Sequence, residues 1–135
     1  MKKFLFGLTV FTTLLLLAFS ANSKELIREF TGSESKSTVE FKVKAPWIVD
    51  WRTRGDYPGQ MAVHVSLVSS PSGEHLGKVV TTKYVDNGVK LFKEGGTFRF
   101  EVDSSLASWT LRVEELTRAE AETYTVKEKA QLRSN

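Results

Sequence analysis

Period-two alternation of apolar and polar residues runs through most of the chain and predicts β-strands with one buried face. In residues 38–43, Val39, Phe41 and Val43 share a face, and Thr38, Glu40 and Lys42 share the other. Trp47, Val49 and Trp51 alternate with Ile48, Asp50 and Arg52. Residues 60–68 place Met61, Val63, Val65 and Leu67 inward, against Ala62, His64 and Ser66. Phe98, Phe100 and Val102 alternate with Arg99, Glu101 and Asp103, and Trp109, Leu111 and Val113 repeat the pattern. Residues 26–30 suit a further strand at a sheet edge. Residues 75–92 are ambiguous, because Val79-Val80 and Leu91-Phe92 put apolar side chains on both faces.

Turn chemistry separates these runs. Ala45-Pro46 interrupts a ladder because proline has no N–H to donate, and Gly55-Asp56-Tyr57-Pro58-Gly59 collects residues that impose or tolerate turn dihedrals. Pro71-Ser72-Gly73 marks another reversal, Asn87-Gly88 suits a type I′ hairpin, and Gly95-Gly96 precedes the Phe98 strand. Strand-sized runs between such signals predict an all-β fold: a single antiparallel β-sandwich, jelly-roll-like or Ig-like, or else a small barrel. The sandwich is expected over residues 24–114, and residues 115–135 form a charged tail, helical or disordered, in which apolar residues become sparse.

The first 23 residues differ from the rest. Lys2 and Lys3 precede an uncharged stretch from Phe4 to Phe19, and small residues follow in Ala18-Phe19-Ser20 and Ala21-Asn22-Ser23, either of which suits signal-peptidase cleavage. The stretch is shorter than the roughly 20 apolar residues of a membrane span. A signal peptide over 1–23 and a periplasmic or secreted product that does not span the membrane are therefore expected. Without Lys2 and Lys3 the chain carries 17 basic and 16 acidic residues, so no net field favours nucleic acid as partner. There is no cysteine, which excludes disulfides, thiolate chemistry and a lipidated cysteine.

Catalytic and metal constellations are not evident. If the Pro71 turn closes a hairpin, His75 faces Val68 and His64 lies roughly 13 Å further along at strand rise, too far to share a metal. No Gly-x-Ser-x-Gly elbow, P-loop or Gly-x-Gly-x-x-Gly pattern occurs. No cofactor is expected. Trp47, Trp51 and Trp109 are in phase with aliphatic neighbours and read as core, not as a sugar-stacking platform; Tyr57, in its Gly/Pro loop, is the better exposed aromatic. The strands flanking Pro46 carry Lys42 and Lys44 on one side and Arg52 and Arg54 on the other. If these strands pair, four cations gather into a site for a phosphate or an acidic glycan.

The run Thr38-x-x-Phe41-x-Val43, Trp47-x-Val49-x-Trp51, then Gly96-x-Phe98-x-Phe100-x-Val102-x-Ser104 and Trp109-x-Leu111-x-Val113 resembles small exported bacterial β-sandwich domains of largely uncharacterised function. The resemblance covers residues 26–114 and rests on packing positions. It implies a core with paired tryptophans on one strand, and it brings no catalytic residues. The expected function is an exported, non-enzymatic binding or interaction module of the cell envelope, whose partner is an envelope protein, a glycan or a lipid headgroup. Lys42, Lys44, Arg52, Arg54 and Tyr57 are its candidate ligand-binding residues. The alternative is an exported enzyme inhibitor presenting the loop from Arg54 to Gly59; a small hydrolase is disfavoured.

Overall fold

A computed structural model describes residues 24–125. The expected signal peptide over 1–23 and the last ten residues of the tail lie outside the described residues. Nine strands form two sheets: β1 (Glu25–Gly32), β2 (Lys36–Ser37), β3 (Phe41–Val43), β4 (Trp47–Arg54), β5 (Ala62–Ser69), β6 (His75–Thr82), β7 (Asp86–Phe92), β8 (Gly96–Ser105) and β9 (Ser108–Glu115). One sheet has the order β1-β9-β4-β7; in the other, β2 and β3 both pair with β8, followed by β5 and β6. All pairings are antiparallel. Counted as one interrupted strand, β2 and β3 bring the total to eight, and every connection except β5–β6 crosses between sheets. This is a jelly roll, one of the two sandwich types the alternation allows.

The alternating residues meet between the sheets. Trp47, Val49, Met61, Val63, Val65, Phe100, Leu111 and Val113 are all buried. Phe41 of β3 sits among the aromatic rings, 5.0 Å from Phe100 and 5.8 Å from both Phe30 and Trp47. Trp47 stacks on Phe92 at 4.5 Å, and its indole N–H donates to Glu94 O at 2.8 Å. Rings from both sheets thus interlock, which favours offset and edge-on contacts over loose apolar filling. Trp47 and Trp109 are core as expected, while Trp51 is half-buried at the margin.

Four local expectations are corrected. Val39 does not face the core: it is 60% exposed and Thr38 is buried in its place. The Thr38 N–H donates to Phe100 O at 2.9 Å, and its hydroxyl accepts the Phe100 N–H at 2.9 Å. The side chain thereby takes over a ladder bond, breaks the edge strand between β2 and β3, and shifts the alternation by one residue. Asn87-Gly88 is not a hairpin but part of β7, where Gly88 faces Trp51. A Cβ on Gly88 would come within 2.5 Å of the indole ring, so this glycine serves close approach, not a turn. Ile48, expected to face outward, is buried. It lies beside Leu91 in register, on the face where Leu91 and Ala121 line a common cleft. The last correction concerns strand pairing across Pro46: β3 belongs to one sheet and β4 to the other, so they do not pair.

The ambiguous segment resolves into β6, β7 and a crossover. In the β5–β6 hairpin His75 faces Val68, as the Pro71 turn implies. Irregularities then displace the register, so that Val80 faces Val65 while Lys78 faces Ser66. Val79 is the extra residue of a bulge, which is how two successive valines are both buried. Residues 26–30 fall within β1, at a sheet edge as expected. The tail begins with helical residues 118–125, opened by a reciprocal cap in which Thr117 Oγ1 accepts the Glu120 N–H and Glu120 Oε1 accepts the Thr117 N–H, both at 3.2 Å.

Candidate functional site

The separation of β3 from β4 splits the expected cationic cluster. Phe41 and Val43 face the core, so Lys42 points out from the five-stranded sheet. Lys44 lies in the crossover, its N–H donating to Glu115 Oε1 at 2.9 Å. Val49 and Thr53 face inward on β4, which places Asp50, Arg52 and Arg54 on the outer face of the four-stranded sheet. Lys42 and Arg52 therefore lie on opposite sides of the sandwich, and only Arg52 and Arg54 stay together.

Strand order supplies these arginines with neighbours that local sequence does not reveal. Arg112 of β9 is flanked in register by Glu29 of β1 and Asp50 of β4. Its guanidinium lies 4.0 Å from Glu29 and 3.4 Å from Glu114, although the buried Nε forms no hydrogen bond with the latter. Arg52 and Arg54 instead face Thr110 and Ser108 across the ladder. Both are exposed, and among the described residues neither guanidinium has an ion pair or side-chain hydrogen bond. One arginine of this face is ion-paired and two are not.

Two grooves flank this pair. The first, about 530 Å³, runs between β1 and β4 over β9; Arg52, Arg54 and Arg112 line it with Ser33, Ser108 and Thr110. Glu29 is its one carboxylate, so cationic groups predominate. The second, about 450 Å³, lies between the arginines and Val85–Val89, where Asp50 and Asp86 offset the charge. Guanidinium forks beside hydroxyl donors suit tetrahedral or planar oxyanions, which accept several hydrogen bonds at once. The first groove is thus equipped for an anion.

Tyr57 is exposed, and its loop is pinned: its carbonyl accepts the N–H groups of Gln60 and Met61 at 3.0 Å, and the Gly59 N–H donates to Lys83 O at 2.8 Å. Arg54, at the start of this loop, puts Tyr57 at the same end of the sandwich as the two arginines.

On the opposite face the structure joins residues that the sequence did not connect. Ser66 Oγ lies 3.1 Å from His64 Nε2, and His64 Nδ1 lies 2.6 Å from Thr81 Oγ1. Positions two apart on a strand share a face, which is the signal that could have paired Ser66 with His64. The third member is a hydroxyl, which stays neutral and cannot stabilise an imidazolium as the carboxylate of a hydrolytic triad does. His64 and His75 lie four register positions apart along β5, since His75 faces Val68 on the bulged hairpin. Among the described residues no three His, Cys, Asp or Glu are grouped to hold a metal ion. No helix among them is long and apolar enough to cross a membrane.

No protein-family model and no curated protein matches the chain. Among solved structures it is similar to a chain described under "Bacillus endospore appendages form a novel family of disulfide-linked pili", at 7% identity and a TM-score of 0.36. The match covers 70% of this chain and 90% of that one. A likeness at this level carries no argument about function.

Proposed function

We propose that this protein is a non-enzymatic binding module, exported to the cell envelope, that holds an anionic ligand on the outer face of its four-stranded sheet. The supporting observation is the contrast among three arginines of one face. Arg112 is surrounded by carboxylates, whereas Arg52 and Arg54 face hydroxyl residues and have no acidic partner among the described residues. Unpaired cations beside a groove with neutral donors are arranged for an incoming anion, since a structural role would be served as well by a neighbouring carboxylate. Lys42 and Lys44, on other parts of the surface, are not assigned to this site.

Thermal unfolding with glycerol phosphate and pyrophosphate as probes tests the reading. The expected result is a saturable rise in melting temperature that disappears in Arg52→Gln/Arg54→Gln and persists in Lys42→Gln. An equal rise in all three proteins, or none in any, contradicts the assignment.

A further inference from the structure

Four of the eight exposed large hydrophobic side chains among the described residues, Tyr57, Tyr84, Val85 and Leu106, belong to three connections at one end of the sandwich. Each is 56–60% exposed. The connections are fastened together: the Gly59 N–H donates to Lys83 O at 2.8 Å, Thr53 Oγ1 donates to Tyr84 O at 2.8 Å, and a Cβ on Gly55 would meet Leu106 O at 2.8 Å. Leu106 also occupies the left-handed region, at φ 55°, where a branched apolar side chain is at a disadvantage and Asn or Gly would be easier. Leu106 is thus held at a turn tip in a conformation that favours other residues, with its side chain in solvent.

This apolar end is continuous with the cationic grooves. Arg54 lines both grooves, and Val85 lines the second together with Arg52 and Arg54. Lys83 immediately precedes Tyr84. Tyrosines and aliphatic tips backed by arginine and lysine form the arrangement that suits a lipid interface, with apolar groups entering the acyl boundary, tyrosines at headgroup level and cations on the phosphates. Asp56 and Glu34 on neighbouring connections limit the electrostatic attraction, so the apolar tips must contribute as well.

We infer that this end of the sandwich docks on an anionic phospholipid membrane, with Leu106, Val85, Tyr84 and Tyr57 at the interface and Arg52 and Arg54 on the headgroup phosphates. The inference rests on the reading of Arg52 and Arg54 as anion-binding groups, and names a lipid headgroup as their anion.

The test is co-sedimentation of the chain from residue 24 onward, which contains both sheets, with phosphatidylglycerol/phosphatidylcholine vesicles and with phosphatidylcholine alone. Soluble glycerol phosphate is titrated in parallel. The inference expects binding to the anionic vesicles, weakened about 25-fold in Arg52→Gln/Arg54→Gln, from the usual contribution of two cations near an anionic surface. It also expects a loss of at least about tenfold in Tyr84→Asn/Leu106→Asn, which removes apolar contact while Asn tolerates the left-handed backbone, with glycerol phosphate binding retained. Binding of glycerol phosphate without vesicle binding overturns the membrane inference and leaves the anion site standing. Absence of both overturns both. Equal binding to neutral and anionic vesicles, or vesicle binding unaffected in Tyr84→Asn/Leu106→Asn, also overturns the docking geometry.

Discussion

Replacing Thr38 with valine tests the account of the interrupted edge strand. Valine keeps the volume and branching of threonine, so packing against the core is nearly unchanged. What is lost is the hydroxyl that accepts the Phe100 N–H at 2.9 Å, in the middle of β8 and beside a fully buried Phe100 side chain. Water cannot readily replace it, because Thr38 itself is only 4% exposed. A buried donor left without its acceptor costs about 1–3 kcal/mol. For a domain of this size each kcal/mol lowers the melting temperature by about 4–8 °C. Thr38→Val is therefore expected to lower the melting temperature by at least several degrees and to reduce the urea midpoint without changing the slope. Thr38→Ser keeps the acceptor and loses one methyl group, and should be the more stable of the two. A valine variant as stable as the parent, or more stable than the serine variant, would refute the role assigned to the hydroxyl.

Other consequences are as direct. A Cβ on Gly32 would come within 2.6 Å of the buried Trp109 ring, whose N–H donates to Glu34 O at 3.1 Å, so Gly32→Ala should cost about 1–3 kcal/mol through overpacking. Gly88→Ala meets the half-buried Trp51, which can yield toward solvent, and should cost less; calorimetry that reversed the order would contradict the packing described. Hydrogen bonding from Ser37, and then the Arg99 guanidinium, holds the Glu101 carboxyl below its ordinary value. A depressed carboxyl stabilises the fold above the unfolded-state value of about 4.3, and this contribution is lost as pH falls through the folded-state value. Ser37→Ala should therefore destabilise the protein at neutral pH and lose most of that effect in acid; a difference that grows on acidification would reverse the expected sign.

The sequence discloses strand faces well where one side is buried throughout. Met61, Val63, Val65 and Leu67, or Phe98, Phe100 and Val102, can be placed by alternation alone because inward and outward positions differ in polarity. The facing of His75 and Val68 follows from the Pro71 turn, but the bulge at Val79 is visible only once β6 is aligned with β5. Thr38 escaped because a hydroxyl in place of a backbone acceptor leaves no mark in polarity. Asn87-Gly88 misled because the requirement for glycine came from the Trp51 ring and not from backbone dihedrals. Ile48 misled because its apolar register neighbour, Leu91, joins it only through the pairing of β4 with β7.

The candidate site was legible to the extent that Arg52 and Arg54 alternate with inward-facing residues. Lys42 and Lys44 were grouped with them because proximity across Pro46 does not say whether a connection returns within a sheet or crosses to the other. Arg112, Thr110 and Ser108, which decide whether the arginines are paired, join the site only through the adjacency of β9 and β4. The loop end is similar: the connections of Tyr57, Tyr84 and Leu106 are far apart in sequence, and hydrogen bonds from Gly59 and Thr53 and the close approach of Leu106 O to Gly55 bring them together.

The most direct test of anion binding is nitrogen-edited NMR of the arginine Nε–H groups during titration with glycerol phosphate. Saturable shifts are expected at Arg52 and Arg54, with the backbone amide of Lys42 on the opposite face undisturbed. Unshifted Arg52 and Arg54 signals, or shifts of equal size on both faces, would contradict it.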